Sequence, residues 1–217
     1  VLEAFADICK KNDITWWLCS GTLLGAARHK GFIPWDDDID VTMLKKDYRK
    51  LEKILVRMDD EDYFYQCIKS DPEHVNVFGK FRKKNDPVFS SDQRSQYFKY
   101  QGVGLDVFSL EKSNRFAAHM AKFLYLNLIH PTQYIKNRFW RHFAIKSVQL
   151  LNFGLLIPIC RLIGRIGHKG QYRYKLGSGF YQCGFSREEI LPLKTMDFEG
   201  IEFPVPGNTD AYLTKIY

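Results

Sequence analysis

Four aspartates, Asp36, Asp37, Asp38 and Asp40, fall within five positions of the stretch SGTLLGAARHKGFIPWDDDIDV at 20–41. Apolar Phe32, Ile33 and Trp35 precede them, and Ile39 and Val41 run between and beyond them. Alternation over 38–44 predicts a strand. On a strand alternate residues share a face, so Asp38 and Asp40 stand together, roughly 7 Å apart at about 3.3 Å per residue. Ile39 and Val41 then point into a core. Carboxylates that close repel each other, and burial pushes their pKa values up. A divalent cation removes the conflict. Mg²⁺, or the similar Mn²⁺, takes oxygen ligands and commonly combines a few carboxylates with substrate phosphates. The cluster therefore points to a metal, and the metal to a phosphorylated substrate.

A further ligand should come from a neighbouring strand. Residues 102–108 supply Asp106, a lone acid between Leu105 and Val107. The alternative for Asp106 alone is an edge-strand acid facing water. Ser20-Gly21-Thr22 lies where an apolar strand at 14–19 gives way to a helix. Helix N-termini offer free N–H groups and partial positive charge, which suits phosphate, and glycine lets a ligand approach the backbone. Ser20 is expected to cap that helix. Arg28 and Lys30, near the helix end, either hold phosphate or compensate the helix dipole. Lys80 and Arg82, two apart on an expected strand, share a face and either stabilise developing negative charge or face solvent.

The elements that position these residues form a mixed α/β unit. Helices are expected over 2–11, 21–29 and 45–58, with a loop at 32–37 that turns at Pro34. Strands are expected at 14–19, 38–44, 63–68, 75–81 and 102–108. The tail suggests a hairpin over 196–205 turning at Glu199-Gly200, and Asn208 is placed to cap a last helix. After Glu111 the character changes. Residues 111–175 hold twelve Lys or Arg against the single acid Glu111, so the chain's net charge of +7 comes entirely from this region. Two apolar, aromatic and basic helices are expected there, over 115–129 and 135–166, interrupted at Pro131 and Pro158. The apolar run at 150–159 is too short to cross a bilayer. The region is either a bundle packed on the α/β unit or a basic face for a membrane surface. For the second reading Arg138 and Arg141 are the expected lipid-facing cations, with Tyr134, Phe139, Trp140 and Phe143 beside them. This divides the chain into a catalytic core at 1–110, a basic helical region at 111–175 and a C-terminal segment at 176–217 that packs back on the core.

With 45% hydrophobic residues the 217-residue chain can bury a full core. Its five cysteines lack zinc-site spacing and read as reduced thiols of an intracellular protein. The opening VLEAFADICKKND has no signal-peptide character, which suggests a cytoplasmic protein. The chain starts without Met and stops at Tyr217, as a piece of a longer protein would.

The quoted stretch resembles the signature of the LicD family of phosphotransferases, shared in related form by fukutin and fukutin-related protein. Gly104-Leu105-Asp106-Val107-Phe108 is similar to the family's later aspartate strand. Phe198-Glu199-Gly200, Pro204-Val205-Pro206, Tyr212-Leu213 and Tyr217 resemble its C-terminal pattern. The likeness is strong over 17–43, moderate at 103–110 and 198–217, and absent from the basic middle. It implies a nucleotidyltransferase-type mixed sheet flanked by helices, and metal-dependent transfer of a phosphorylated group, phosphocholine or a polyol phosphate, from a CDP-activated donor, leaving CMP. The implied acceptor is a hydroxyl of a cell-surface glycan (teichoic acid, lipopolysaccharide or capsule) or of its lipid-linked precursor. Carried over by position, Asp38 and Asp40 would be metal ligands, with Asp36 at a further acidic position. Asp106 would be a ligand or the base for the acceptor hydroxyl. Gly21 and Thr22 would face the donor diphosphate. The expected partners are that donor and acceptor, with peripheral membrane contact at the inner leaflet through 111–175; a nucleic acid is not expected. Two alternatives stay open: a nucleotidyltransferase that releases pyrophosphate, and a non-catalytic module that binds membrane or RNA.

Overall fold

The computed structural model describes residues 1–87, 97–179 and 181–217. Its centre is a six-stranded mixed sheet. The strands are β1 (Trp17–Leu18), β2 (Ile39–Leu44), β3 (Tyr63–Gln66), β4 (Gly79–Pro87), β5 (Gly102–Lys112) and β6 (Tyr172–Tyr174). They lie in the order β1-β2-β5-β4-β3, with β6 added to the far end of β5. Only β2 and β5 are parallel. Helices α1 (Leu2–Lys11), α2 (Ser20–His29) and α3 (Lys45–Leu55) flank the sheet. The expected α/β class with a mixed sheet and flanking helices is what the chain adopts.

The apolar pattern fixes which sheet face is covered. Phe81, Leu105 and Val107 share one face and are buried. Phe5 of α1 meets Phe81 with ring centroids 5.9 Å apart, and Tyr48 of α3 reaches the Tyr65 hydroxyl. A hairpin of β7 (Lys194–Phe198) and β8 (Ile201–Val205) turns at Glu199 and Gly200, both at positive φ, and α8 (Thr209–Thr214) starts at the Asn208 cap as expected.

The differences from expectation have local causes. Val75, Val77 and Phe78 are buried, but among the described residues 75–78 joins no strand ladder. The Val77 carbonyl accepts from Tyr48 and Lys175, and the Phe78 carbonyl from His74, so side chains satisfy what a neighbouring strand would. Strand β5 continues to Lys112 because β6, some 60 residues later, pairs with its end, Leu110 opposite Tyr174. Ser20 does not cap α2. Cys19 takes that position, and Ser20 is the first helical residue with φ 50°.

The basic region is helical. A helix α4 (Arg115–Leu124) widens over 125–129 and tightens at Pro131 over 130–134. Then α5 (Arg138–Leu151) and α6 (Ile157–Gly164) join through a widened turn at Asn152–Leu156. Pro158 thus does not end the helix. The wide turn before it absorbs the lost N–H and the ring's clash with the preceding turn. The result is one helix, Arg138–Gly164, of 27 residues, long and apolar enough to cross a membrane by length and composition. This continuous helix lies within the stretch expected to be helical, 135–166, and includes the apolar run at 150–159. Arg141 is also corrected. It is buried, donates two hydrogen bonds to Glu73 and lies over the Tyr97 ring at 3.9 Å, so it holds the helix to the core. A short α7 (Arg187–Ile190) with a capping box precedes the hairpin.

Candidate active site

The site grows from one rung of the sheet. In the β2–β5 register Asp40 lies opposite Asp106, in β4–β5 Asp106 lies opposite Lys80, and in β3–β4 Lys80 lies opposite Gln66. Residues of one rung point to one face, so two carboxylates, an ammonium and an amide stand in a row there. Asp40 and Asp106 are buried. Lys80 Nζ donates to Asp106 Oδ1 at 2.5 Å. Arg82, two residues on, donates to Gln66 Oε1 at 2.7 Å and to the Gly102 carbonyl at 2.8 Å, so it stiffens the rung's end.

The row carries unbalanced negative charge. Burial, then repulsion from Asp38 and Asp106, pushes the Asp40 carboxyl from 3.8 up to about 8, against the pull of the Ser20 hydroxyl and Lys80. Asp106 is raised too, chiefly by burial and further by Asp38, with Lys80 opposing. Asp38 stands exposed just outside β2. Asp36 is raised by burial and by the neighbouring carboxylates Asp38 and Asp37.

The strand-to-helix junction holds this row in place. Thr22 is buried, and its Oγ accepts the Asp40 N–H at 2.8 Å. The hydroxyl of Thr22 thereby ties the start of α2 to β2 at Asp40. Ser20, in the left-handed region that non-glycine residues rarely occupy, puts its hydroxyl on Asp40. At Gly21 a Cβ would come within 2.0 Å of Asp36 Oδ2, so glycine is what lets that carboxylate lie against the helix start. Arg28 lines a cavity of about 280 Å³ with Gly21, Trp35, Asp36 and Tyr217. Lys30 closes α2 in the left-handed region, φ 57°, and its carbonyl accepts the Glu199 N–H at 2.8 Å.

Among the described residues, no three His, Cys, Asp or Glu side chains are already spaced to hold a metal ion. Lys80 occupies Asp106, and Asp36 is drawn to Gly21. The donor set is nonetheless that of a hard cation: carboxylate oxygens on adjacent strands whose buried charge is under-compensated. Asp40 with exposed Asp38 supplies the ready pair.

Three residues near the site have contacts that no local sequence signal assigns. Glu199 accepts the Phe32 N–H at 3.0 Å and so anchors the aspartate loop from the C-terminal hairpin. His74, just before the stretch expected as a strand, lines a cavity of about 230 Å³ with Lys80, Asp106, Tyr97 and Gln133. Its burial pulls its pKa down to about 4, and Nε2 contacts the Phe78 carbonyl, so the ring is neutral with the proton on Nε2. A charged residue, Glu73, also lines that cavity and would have been legible only through its partner Arg141.

Residues 13–150 match the family model described as the LicD/FKTN/FKRP nucleotidyltransferase domain. The chain belongs to the LicD family. The match takes in the whole rung, the Ser20-Gly21-Thr22 junction and α5 up to its last residue but one. Over its whole length the chain is 27% identical to the lipopolysaccharide cholinephosphotransferase LicD of Haemophilus influenzae and covers 86% of that protein. An uncharacterized protein, RP689 of Rickettsia prowazekii, is 44% identical over 105 residues, which are 43% of this chain and 38% of that one. The human ribitol 5-phosphate transferase FKRP is 44% identical over 47 residues, 22% of this chain and 10% of that protein. Within the LicD family, then, this chain shares full-length similarity with one transferase of a phosphorylated group and a short segment with another.

Proposed function

We propose that this LicD-family chain transfers a phosphorylated group, phosphocholine or a polyol phosphate, from a CDP-activated donor to a hydroxyl of a cell-surface glycan or its lipid-linked precursor. The observation that carries the reading is the Asp40–Asp106–Lys80 rung: charge that is buried and under-compensated, at the mouth of a strand-to-helix junction, in a chain similar along its length to a cholinephosphotransferase. Asp38 and Asp40 would hold a divalent cation, Mg²⁺ or Mn²⁺. Such an ion supplies charge neutralisation at the diphosphate.

The chain's own groups have distinct tasks. The acceptor hydroxyl oxygen attacks the phosphorus of the transferred group, its bond to CMP breaks, and the hydroxyl proton passes to the Asp106 carboxylate. A carboxylate whose proton affinity is raised is suited to accept it. Lys80, 2.5 Å from Asp106, holds that carboxylate in place and adds positive charge beside the reacting phosphate. Thr22 and Ser20 keep Asp40 at the front of β2. Positioning and charge neutralisation of this kind are the main work in phosphoryl-type transfer.

Thermal unfolding with CDP-choline, CDP-ribitol, CDP-glycerol, CMP or ATP, with and without Mg²⁺, tests the reading. Mg²⁺-dependent stabilisation by one CDP compound, lost in Asp38→Ala/Asp40→Ala, is expected and names the donor. Product analysis should show CMP. Stabilisation by ATP with release of pyrophosphate would replace this reading with nucleotidyl transfer.

A further inference from the structure

Helix Arg138–Gly164 has two faces that its sequence does not separate. One face is docked. Arg141, Ile145, Asn152, Ile157, Cys160 and Gly164 are buried along the helix's whole length. The docking is specific at both ends: Arg141 is bound to Glu73, and a Cβ at Gly164 would sit 3.3 Å from Ala117 and Ser113. The other face is exposed and apolar. Phe139, Phe143, Leu150, Leu155, Ile159 and Leu162 form a stripe at helical spacing, each about half exposed or more. Only 22% of the helix's most apolar stretch is buried. Phe116 and Phe123 of α4 are each 64% exposed and continue the patch. Soluble monomers rarely leave so long an apolar face in water.

The charge around this patch has one sign. Lys112, Arg115, Lys136, Arg138, Lys146, Arg165 and Lys169 are exposed in the same region. Its only acid, Glu111, is buried against Lys45 and Arg161 and does not offset them. An apolar stripe with aromatic residues, flanked by cations, matches the boundary between lipid headgroups and acyl chains.

We propose that the exposed face of Arg138–Gly164, with that of α4, lies in the surface of a bilayer that contains anionic lipid. The helix rests in the plane of the membrane and does not cross it, because crossing would strip the docked face from Glu73, Ala117 and the rest of its packing along its length. The inference rests on the helical layer alone and holds whatever group the carboxylate site transfers.

The test is co-sedimentation of the full chain with vesicles of phosphatidylcholine alone or mixed with phosphatidylglycerol. Binding is expected to the mixed vesicles and to weaken with salt. At about 1 kcal/mol per cation, Arg138→Gln/Lys146→Gln should weaken it about 25-fold. Leu155→Asp/Leu162→Asp should abolish it while leaving the unfolding midpoint in buffer unchanged or higher, since both side chains are exposed. Alkaline carbonate should release the bound chain. Equal or absent binding to both vesicle types overturns the proposal. So does resistance to alkaline extraction, which would mean a crossing helix. A dimer in buffer that the Asp pair dissociates, without vesicle binding, would assign the face to a second copy and overturn it as well.

Discussion

Removing the charge of Asp40 should stabilise the metal-free protein, and by an amount that depends on pH. The Asp40 carboxyl titrates near 8 in the fold against an ordinary 3.8. A raised acid pKa means that the folded state binds the proton more tightly than the unfolded chain. Stability therefore falls as pH rises from about 4 and stops falling near 8. At about 1.4 kcal/mol per unit, roughly three units of separation at pH 7 give a ceiling of about 4 kcal/mol. Relaxation around Ser20 and Lys80 lowers this, so Asp40→Asn is expected to gain about 2–4 kcal/mol at pH 7. For a chain of this size that is a midpoint rise of roughly 4–16 °C. Asparagine keeps the volume and can keep the Ser20 contact, so little else changes. The assay is thermal unfolding of both proteins in EDTA-containing buffers between pH 4.5 and 8.5. The variant's advantage should shrink towards zero at the acid end. In millimolar Mg²⁺ the wild type alone should gain. A variant that is less stable at pH 8, or an advantage that does not change with pH, would refute the reasoning that buried, uncompensated charge defines this site.

The ion pairs elsewhere should behave in the opposite sense. Glu111 is held below its ordinary pKa by Arg161, Lys45 and the Leu176 N–H, which outweigh its burial. Glu111→Gln should cost about 3–5 kcal/mol at pH 7 in chemical denaturation, with the loss fading as pH drops below about 4.5. Gly21→Ala should leave stability within about 1 kcal/mol, because the side chain in its way is the free end of Asp36. It should nonetheless abolish donor-dependent stabilisation by displacing that carboxylate. Arg141→Lys, which keeps charge but loses the two-pronged bond to Glu73, should cost about 1–3 kcal/mol by the same denaturation measurement. Glu199→Ala should free the Phe32 N–H and lower transferase activity more than stability, read as activity against midpoint on the same sample.

What the sequence disclosed was what short-range periodicity encodes. Ile39 and Val41 alternate with aspartates, which is enough to set Asp40, and Asp38 just before the strand, on the face opposite Ile39 and Val41 and to demand a partner strand. Lone Asp106 between apolar neighbours named that partner, and the register sets it against Asp40. The hairpin at Glu199-Gly200 was legible because a two-residue turn needs positive φ there. What stayed hidden depends on contacts between distant residues. Nothing local shows that β6 extends β5, that Glu199 anchors Phe32 across 167 positions, or that Arg141 is buried on Glu73. Ser20 looked like a cap because its type is right for one. The strained backbone that turns its hydroxyl to Asp40 cannot be read from residue type.

The helical layer and the carboxylate rung are not independent parts of this molecule. The cavity beside Asp106 and Lys80 is walled by Glu73, Tyr97 and Gln133. Arg141 of α5 binds Glu73 and covers Tyr97, and Gln133 belongs to the turn that feeds α5. One face of that helix therefore backs two residues that wall the cavity where an acceptor hydroxyl would reach Asp106, while its opposite face is the apolar, cation-flanked stripe. The Arg141–Glu73 contact thus links the layer that carries the stripe to the cavity that an acceptor would enter. If the two are coupled in this way, Arg141→Lys should raise KM for a lipid-linked acceptor more than for a short soluble glycan, with the donor's KM unchanged. Equal effects on both acceptors would mean that the helix supports the cavity wall without guiding what enters it.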